Sequence, residues 1–423
     1  MIKHPRRRRV GALVAAVCAG ALIAAPAMAS PPRPSFIPDT DGATILMLPG
    51  TGDRDGADQI ARTAAVGWFG DAVAQGRLRV VDYPAAFGAR AFGVLIPVVG
   101  RGTYNESAVI GTENLVRAAE ETDGKVVLNG FSQSATPVLS AAYLLRQRGI
   151  KPEGDIAVIV GADPRFPKTG AEVVMPSFLE GFYTNGERDP AGTGDIPVTS
   201  VCLVGDTTCG MANPLARPVS FLVYFAPGFY IHANMYEHVG DYDVVKTTTA
   251  GNTTFVVVDG GNPWGMMLRD LGLPVPREFD DVLSAVVPRQ MPGEASTVFG
   301  HEVPTPRALQ VALNNRLGLT TPVTDPDVLG TPGTRPGVTP AQVPLSSPPP
   351  ADTVGGWRSV PTPPPTVPTI SPSVPGISPS VPSFSSTVPT AAAPTGAPAP
   401  ASPTVTPIAP APAPISSPGA AAH

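Results

Sequence analysis

Between residues 34 and 319 the chain alternates two patterns: short runs of continuous apolar, β-favouring residues, and longer stretches in which apolar and polar residues follow a helical period. The runs Ala43–Leu48 (ATILML), Leu78–Tyr83 (LRVVDY), Lys125–Asn129 (KVVLN), Ile156–Val160 (IAVIV), Val198–Val204 (VTSVCLV) and Thr253–Val258 (TTFVVV) predict strands. Ser107–Glu121 and Pro137–Arg148 predict helices. Strands that are apolar along their whole length must be covered on both faces, and helices lie between them. The expectation is one α/β domain over 34–319, a mostly parallel sheet with helices on both faces.

The two ends lack this pattern. Lys3 and Arg6–Arg9 precede an apolar run from Val10 to Ala25 that closes on Ala27-Met28-Ala29. A basic start, an apolar core shorter than the roughly 20 residues of a membrane span, and small residues at its end predict a signal peptide (1–29) cut near Ala29. Such a leader implies a secreted or cell-envelope protein. From about Thr320 the composition shifts to Pro, Ser, Thr, Ala and Val, with loose repeats such as SPSVPGISPSVPS. A segment with so little to bury predicts a disordered tail over 320–423, serving as a cell-envelope tether, a glycosylated stalk or a solubilising spacer.

Losing the leader removes five basic residues and no acidic ones, so the formal charge falls from −5 to about −10. That balance argues against nucleic acid as a partner. It also leaves two cysteines, Cys202 and Cys209, in a compartment where disulfides persist, able to pair with each other or between chains.

Candidate chemistry begins in Lys125–Gly149, where a buried strand runs into Gly130-Phe131-Ser132-Gln133-Ser134 and then an amphipathic helix. That layout is a nucleophile elbow: a sharp strand-to-helix turn lifts a serine oxygen clear of the backbone, and small residues two positions to either side allow close approach. Ser134 stands where a second Gly is usual but is still small. An oxyanion hole needs two backbone amides, one of them from the residue after the nucleophile, Gln133. The other is expected from Leu48-Pro49-Gly50-Thr51-Gly52-Asp53 at the end of the first strand, with Thr51 and Gly52 the candidates. No Lys follows that loop in the P-loop position, which argues against nucleotide binding.

A triad acid needs a rigid mount. Asp206 sits at a strand end between Cys202 and Cys209; Asp163 in Gly161-Ala162-Asp163-Pro164 is its competitor. The base belongs downstream of the acid, where His232, His238 and His301 all qualify. His232 lies in an apolar, aromatic run, Phe221–Tyr236, which suits either an acyl-pocket wall or a core helix.

Taken in order, several segments resemble the actinobacterial PE-PPE domain, a serine-hydrolase family related to cutinases with an α/β-hydrolase fold. They are the elbow, Gly161–Pro164, Asp206 followed by Pro214, the Tyr230-Ile231-His232 to Tyr236 cluster and the Thr253–Phe255 strand. The resemblance spans roughly residues 40–290. It implies a triad of Ser132, Asp206 and His232, without metal or cofactor, acting on acyl esters. The chain departs from the family in having no PE or PPE segment before the domain. The Cys202–Cys209 spacing is instead similar to the cutinase acid loop, which implies a disulfide there. Family members include esterases and cell-envelope acyltransferases that move fatty acyl groups between trehalose glycolipids, so the acceptor stays open. A non-catalytic envelope protein that binds lipid is the third expectation.

Overall fold

The computed structural model describes residues 31–40 and 42–328 and the backbone of 334–336. The expected leader (1–29) and most of the expected tail lie outside these residues. In chain order the elements are β1 (Thr44–Leu48), α1 (Ala57–Ala65), α2 (Gly70–Ala74), β2 (Leu78–Val80), β3 (Phe87–Ala91), β4 (Val94–Val99), α3 (Tyr104–Glu120) and β5 (Val126–Phe131). Then come α4 (Ala135–Arg148), β6 (Ile156–Gly161), α5 (Ala171–Val174), β7 (Val198–Leu203), α6 (Pro218–Asn234), β8 (Asp243–Ala250) and β9 (Thr253–Asp259). Last are α7 (Pro263–Asp270), α8 (Glu278–Val286), β10 (Thr297–Val298), β11 (His301–Glu302), α9 (Pro306–Arg316), β12 (Thr321–Val323) and β13 (Thr334–Pro336).

Seven strands form one sheet in the order β2-β1-β5-β6-β7-β9-β8, parallel throughout except for the antiparallel edge strand β8. All six predicted strands are in it. Their continuous apolar runs are explained by two cores, one per face. Ile45 and Met47 of β1 join Val127 and Ile159 in one, while Leu46 and Leu48 join Leu128, Val158 and Val160 in the other. Successive side chains along a strand alternate faces, so a run buried on both sides has no polar position to offer. Helices α3 and α4 close the second core through Leu115, Val138 and Leu145, and α6 reaches the first through Ile231. This is the expected α/β architecture, a mostly parallel sheet with helices on both faces.

Helix α3 begins three residues earlier than its apolar period predicts, because Thr103 caps it. The Thr103 hydroxyl accepts the Glu106 amide (3.2 Å) and the Glu106 carboxylate accepts the Thr103 amide (3.0 Å). This reciprocal box satisfies two otherwise orphaned donors. Among the described residues no helix is long and apolar enough to cross a membrane.

The expected boundary at 319/320 needs correction. Thr321 and Val323 are buried, and Asn185 accepts the amides of Thr324 (2.8 Å) and Asp325 (3.0 Å) through its side-chain oxygen. Asp325 and Asp327 enter a buried ion cluster. Arg165 bonds to both, Arg188 reaches Asp325 at 3.0 Å and Asp327 at 3.3 Å, and the Ser140 hydroxyl on α4 donates to Asp325 at 2.7 Å. Burial by itself raises the Asp327 carboxyl, but Arg165 and Arg188 outweigh it and bring it down to about 2. The domain therefore runs to at least residue 328. The two aspartates look solvated in sequence because the arginines that neutralise them lie some 140–160 positions upstream.

Cutting the chain at 319 removes both carboxylates and leaves two buried guanidiniums unpaired. Breaking a buried pair in this way costs about 3–5 kcal/mol. Urea unfolding of chain 31–319 beside chain 31–328 should show a loss of at least about 3 kcal/mol. Equal midpoints would show that the segment does not belong to the fold.

Candidate active site

The strand-to-helix turn after β5 has the backbone that an exposed nucleophile requires. Ser132 sits at φ 59°, a left-handed conformation that non-glycine residues seldom adopt and that costs of order 1–2 kcal/mol. Gly130 makes the turn possible, since a Cβ there would stand 2.7 Å from the Ser134 carbonyl oxygen and 2.9 Å from Val138 Cγ2. Ser134, in place of a second glycine, is fully buried. Its hydroxyl oxygen accepts the Phe131 amide (2.7 Å) and lies within hydrogen-bond distance of the Leu48 carbonyl (2.8 Å). The substitution thus ties the turn to the end of β1.

Asp206 follows β7 in a loop closed by the Cys202–Cys209 disulfide, with both sulfurs inside the core. Its carboxylate is fully buried and meets donors from three directions. The Thr208 amide donates at 2.6 Å, the Tyr236 hydroxyl at 2.7 Å, and His232 Nδ1 lies 3.0 Å from Oδ2 and 3.1 Å from Oδ1. Tyr236 also accepts the Leu203 amide (3.1 Å). Burial, and then the neighbouring Asp206 charge, push the Tyr236 phenol well above its ordinary range, so it stays a donor.

His232 comes from the last turn of α6. That helix lies directly on the acid loop because residue 228 is glycine: a Cβ there would stand 2.3 Å from Thr207 Oγ1 and 2.5 Å from the Gly205 carbonyl oxygen. Thr207 Oγ1 donates to the Phe225 carbonyl (3.0 Å), stitching loop to helix. Pro227 lies inside the helix and has no amide to give the carbonyl four residues back, Val223; the Trp264 indole donates to that carbonyl instead (2.9 Å). The outcome is that His232 Nε2 lies 2.8 Å from Ser132 Oγ, with the imidazole stacked on Phe131 at a 5.0 Å centroid distance.

The structure thus brings Ser132, His232 and Asp206 into one hydrogen-bonded line. It does not bring in the competitors. Asp163 is buried and accepts the Arg165 amide (2.8 Å), while His238 is exposed beside Glu237 and His301 is exposed on β11. Of the candidate oxyanion donors, Gly52 is removed: its amide donates to the Ala85 carbonyl (2.9 Å) and has no proton left to offer. Among the described residues no such bond engages the Thr51 or Gln133 amides. The Thr51 hydroxyl donates to Gln133 Oε1 (2.8 Å) and Gln133 Nε2 donates to the Ala86 carbonyl (2.8 Å), which fixes the loop against the elbow.

Ser132 and His232 open into a cavity of about 560 Å³. Much of its wall is apolar, including Met175, Phe182, Met211, Phe225 and Phe229. Part of the Phe221–Tyr236 run therefore does line a pocket. Buried at the cavity wall, Glu172 accepts from Tyr104 (2.6 Å), Thr136 (3.0 Å) and the amide and side chain of Asn185 (2.8 Å each). With four donors it is a satisfied structural carboxylate. Among the described residues no group of three or more His, Cys, Asp or Glu is placed to hold a metal ion. Sequence reasoning assigned no role to Tyr236. The available signal was its spacing, four residues beyond the histidine and so on the same side of a helical turn.

No family model matches the chain, and no curated protein matches it in sequence. Solved structures similar to it include a cutinase-like protein from Cryptococcus sp., 17% identical over 42% of this chain and 82% of that one, with a TM-score of 0.24. The type II thioesterase YbtT of the yersiniabactin NRPS/PKS biosynthetic pathway is 16% identical over 60% and 96%, with a TM-score of 0.27. The thioesterase RedJ of the prodiginine biosynthetic pathway in Streptomyces coelicolor is 16% identical over 60% and 90%, with a TM-score of 0.25. At these scores the likenesses place no residue, and the site stands on its own geometry.

Tyr236→Phe removes one donor from a buried carboxylate while keeping the ring. A hydrogen bond to a charged group is worth about 1.5–3 kcal/mol, so turnover of a soluble ester should fall about tenfold or more, with little change in KM. An unchanged rate in a well-folded variant would show that Thr208 and His232 suffice to hold Asp206.

Proposed function

We propose that this chain is a serine-dependent carboxylic-ester hydrolase, cutinase-like and akin to the PE-PPE domain, working through an acyl-enzyme on Ser132. One observation carries the reading: Ser132 Oγ, His232 Nε2 and Nδ1, and Asp206 are hydrogen-bonded in sequence at the wall of an apolar cavity.

The chemistry follows from the contacts. Ser132 Oγ passes its proton to His232 Nε2 as it attacks the ester carbonyl carbon, and Asp206 keeps the imidazole oriented and stabilises its charge. Negative charge then develops on the carbonyl oxygen, where the Gln133 and Thr51 amides are the donors placed to receive it. His232 returns the proton to the departing alcohol, leaving the acyl group on Ser132. In the second half a hydroxyl gives its proton to His232 and bonds to the acyl carbon, and His232 passes that proton to Ser132 Oγ as the acyl–serine bond breaks. When that hydroxyl belongs to water the product is the free acid. When it belongs to a glycolipid sugar the same acyl-enzyme performs transfer.

Export fits the same picture. The basic, apolar and small-residue pattern of residues 1–29 is that of a cleaved leader, and a buried disulfide beside Asp206 suits an oxidising compartment. The Pro-rich segment beyond residue 328 then serves as a tether or spacer in the cell envelope.

A fluorophosphonate probe reacts with an activated serine. The protein without its leader should be labelled, Ser132→Ala should not be, and His232→Ala should be labelled at least about a hundredfold more slowly, in line with the 10²–10⁴-fold contribution of a general base. A well-folded wild type that resists labelling would overturn the enzyme reading in favour of lipid binding without catalysis.

A further inference from the structure

Two elements beside the cavity turn apolar side chains to solvent. The β3–β4 hairpin pairs with no strand of the main sheet, and β4 (VLIPVV) is exposed at odd and even positions alike, so it stands out from the body. It runs from Val98 and Val99, which line the cavity, to a two-residue turn at Phe92 and Gly93. From Ala91 to Gly100 it carries no side chain able to hydrogen-bond or hold a charge.

Helix α6 behaves alike. Val219, Leu222, Ala226, Phe229 and Ala233, spaced three or four residues apart, make a continuous exposed stripe along it. Leu222 is 73% exposed. Between residues 218 and 236 there is no Asp, Glu, Lys or Arg. Single apolar residues scattered over a surface are ordinary, whereas a stripe of this kind marks a place where something binds.

The hairpin tip adds backbone strain. Phe92 has φ 51° and Gly93 φ 77°, both left-handed, as a type I′ turn requires. Asn or Asp suits the first of those positions, and a bulky residue there is an outlier. The Phe92 ring is also fully exposed, so no packing within the chain offsets the strain. Such a residue gains only when something apolar covers it.

The position of the two elements narrows the occupant. Val98 and Phe229 are exposed and also line the cavity, so they stand at its mouth. A protein partner seated on both would shut the way to Ser132. A lipid layer covers the same side chains and delivers an acyl ester to the mouth. The protein without its leader carries a formal charge of about −10, and neither element offers a Lys or Arg at the mouth to hold an anionic headgroup.

We propose that the β3–β4 hairpin and the solvent side of α6 form one docking surface for an uncharged or zwitterionic lipid layer, with Phe92 inserted as its anchor. The inference deepens the esterase reading of Ser132, since it makes the substrate an ester presented in a lipid layer. It also places attachment to that layer on the catalytic domain itself.

The leaderless protein carrying Ser132→Ala tests docking without turnover, by flotation with phosphatidylcholine vesicles. It should bind, and adding Phe92→Asn or Leu222→Asp should each lower the partition about tenfold or more, the loss expected for one large apolar side chain. Phe92→Asn should unfold at the same temperature or higher, because Asn accepts the left-handed turn. With Ser132 restored, both variants should cleave dissolved p-nitrophenyl butyrate at the wild-type rate and lose most turnover of p-nitrophenyl palmitate carried in the vesicles. No partition of the parent protein, partition only with anionic phosphatidylglycerol, or a loss confined to one variant would overturn the shared surface. A dimer in solution that Leu222→Asp splits would also overturn it, giving the face to a second copy. Vesicle binding without fluorophosphonate labelling of the protein that retains Ser132 would instead remove the esterase reading and leave the docking surface standing.

Discussion

The arrangement around Ser132 depends on how the buried carboxylate of Asp206 is satisfied. A carboxylate with no access to water is stable only where donors surround it, and the effective penalty is otherwise several kcal/mol. The three donors come from three places: the Thr208 amide inside the disulfide loop, His232 at the end of α6, and Tyr236 in the turn beyond it. Once Asp206 is buried, α6 must lie on the loop and the chain must turn after Asn234 so that the Tyr236 hydroxyl points back. The disulfide holds the loop from below, Gly228 lets the helix come close enough, and Thr207 joins the two. The histidine that reaches Ser132 is where it is because the acid has been neutralised there.

How much of this was legible depends on whether the signal was local. The six predicted strands are buried on both faces, and such strands cannot avoid being continuous apolar runs. Edge strand β8 (DVVKTTTA) is exposed along almost its whole length, carries no such run, and is defined by pairing with β9. The β3–β4 hairpin, with Pro97 in its second strand and most of its apolar side chains turned to solvent, was equally silent. The elbow is a local pattern and was readable from five residues. Asp206 was readable from its flanking cysteines. The choice of His232 over His238 and His301 came from its apolar, aromatic setting and from resemblance, because what distinguishes them physically is helix packing across 26 positions of chain.

The two corrections share a cause. Gly52 looked like a donor because its loop is in the right place, but whether an amide is free depends on the Ala85 carbonyl, contributed by a segment that sequence does not place. Asp325 and Asp327 looked like part of a featureless tail because composition averages over them. Two charges in a Pro-rich stretch carry little weight in a composition count. Set against Arg165 and Arg188 in the interior, they decide where the domain ends.

The strained serine and the cavity beside it both follow from the parallel topology. In an open parallel sheet every strand delivers its following loop to the same edge, which is where ligands bind. Here β1 delivers the Thr51 loop and α1, β5 delivers Ser132, and β7 delivers Asp206, with α6 close behind. Around the cavity, Gln59 and Arg62 come from α1 and Phe225 and Phe229 from α6. Holding a left-handed serine between them needs a brace, and Ser134 supplies it by bonding at once to the elbow backbone and the end of β1. A second glycine would relieve crowding but would remove the bond to the Leu48 carbonyl, leaving the end of β1 held to the elbow by its pairing with β5 and by the Thr51–Gln133 contact. The departure from the usual pattern thus adds a tie between the Thr51 loop and Ser132.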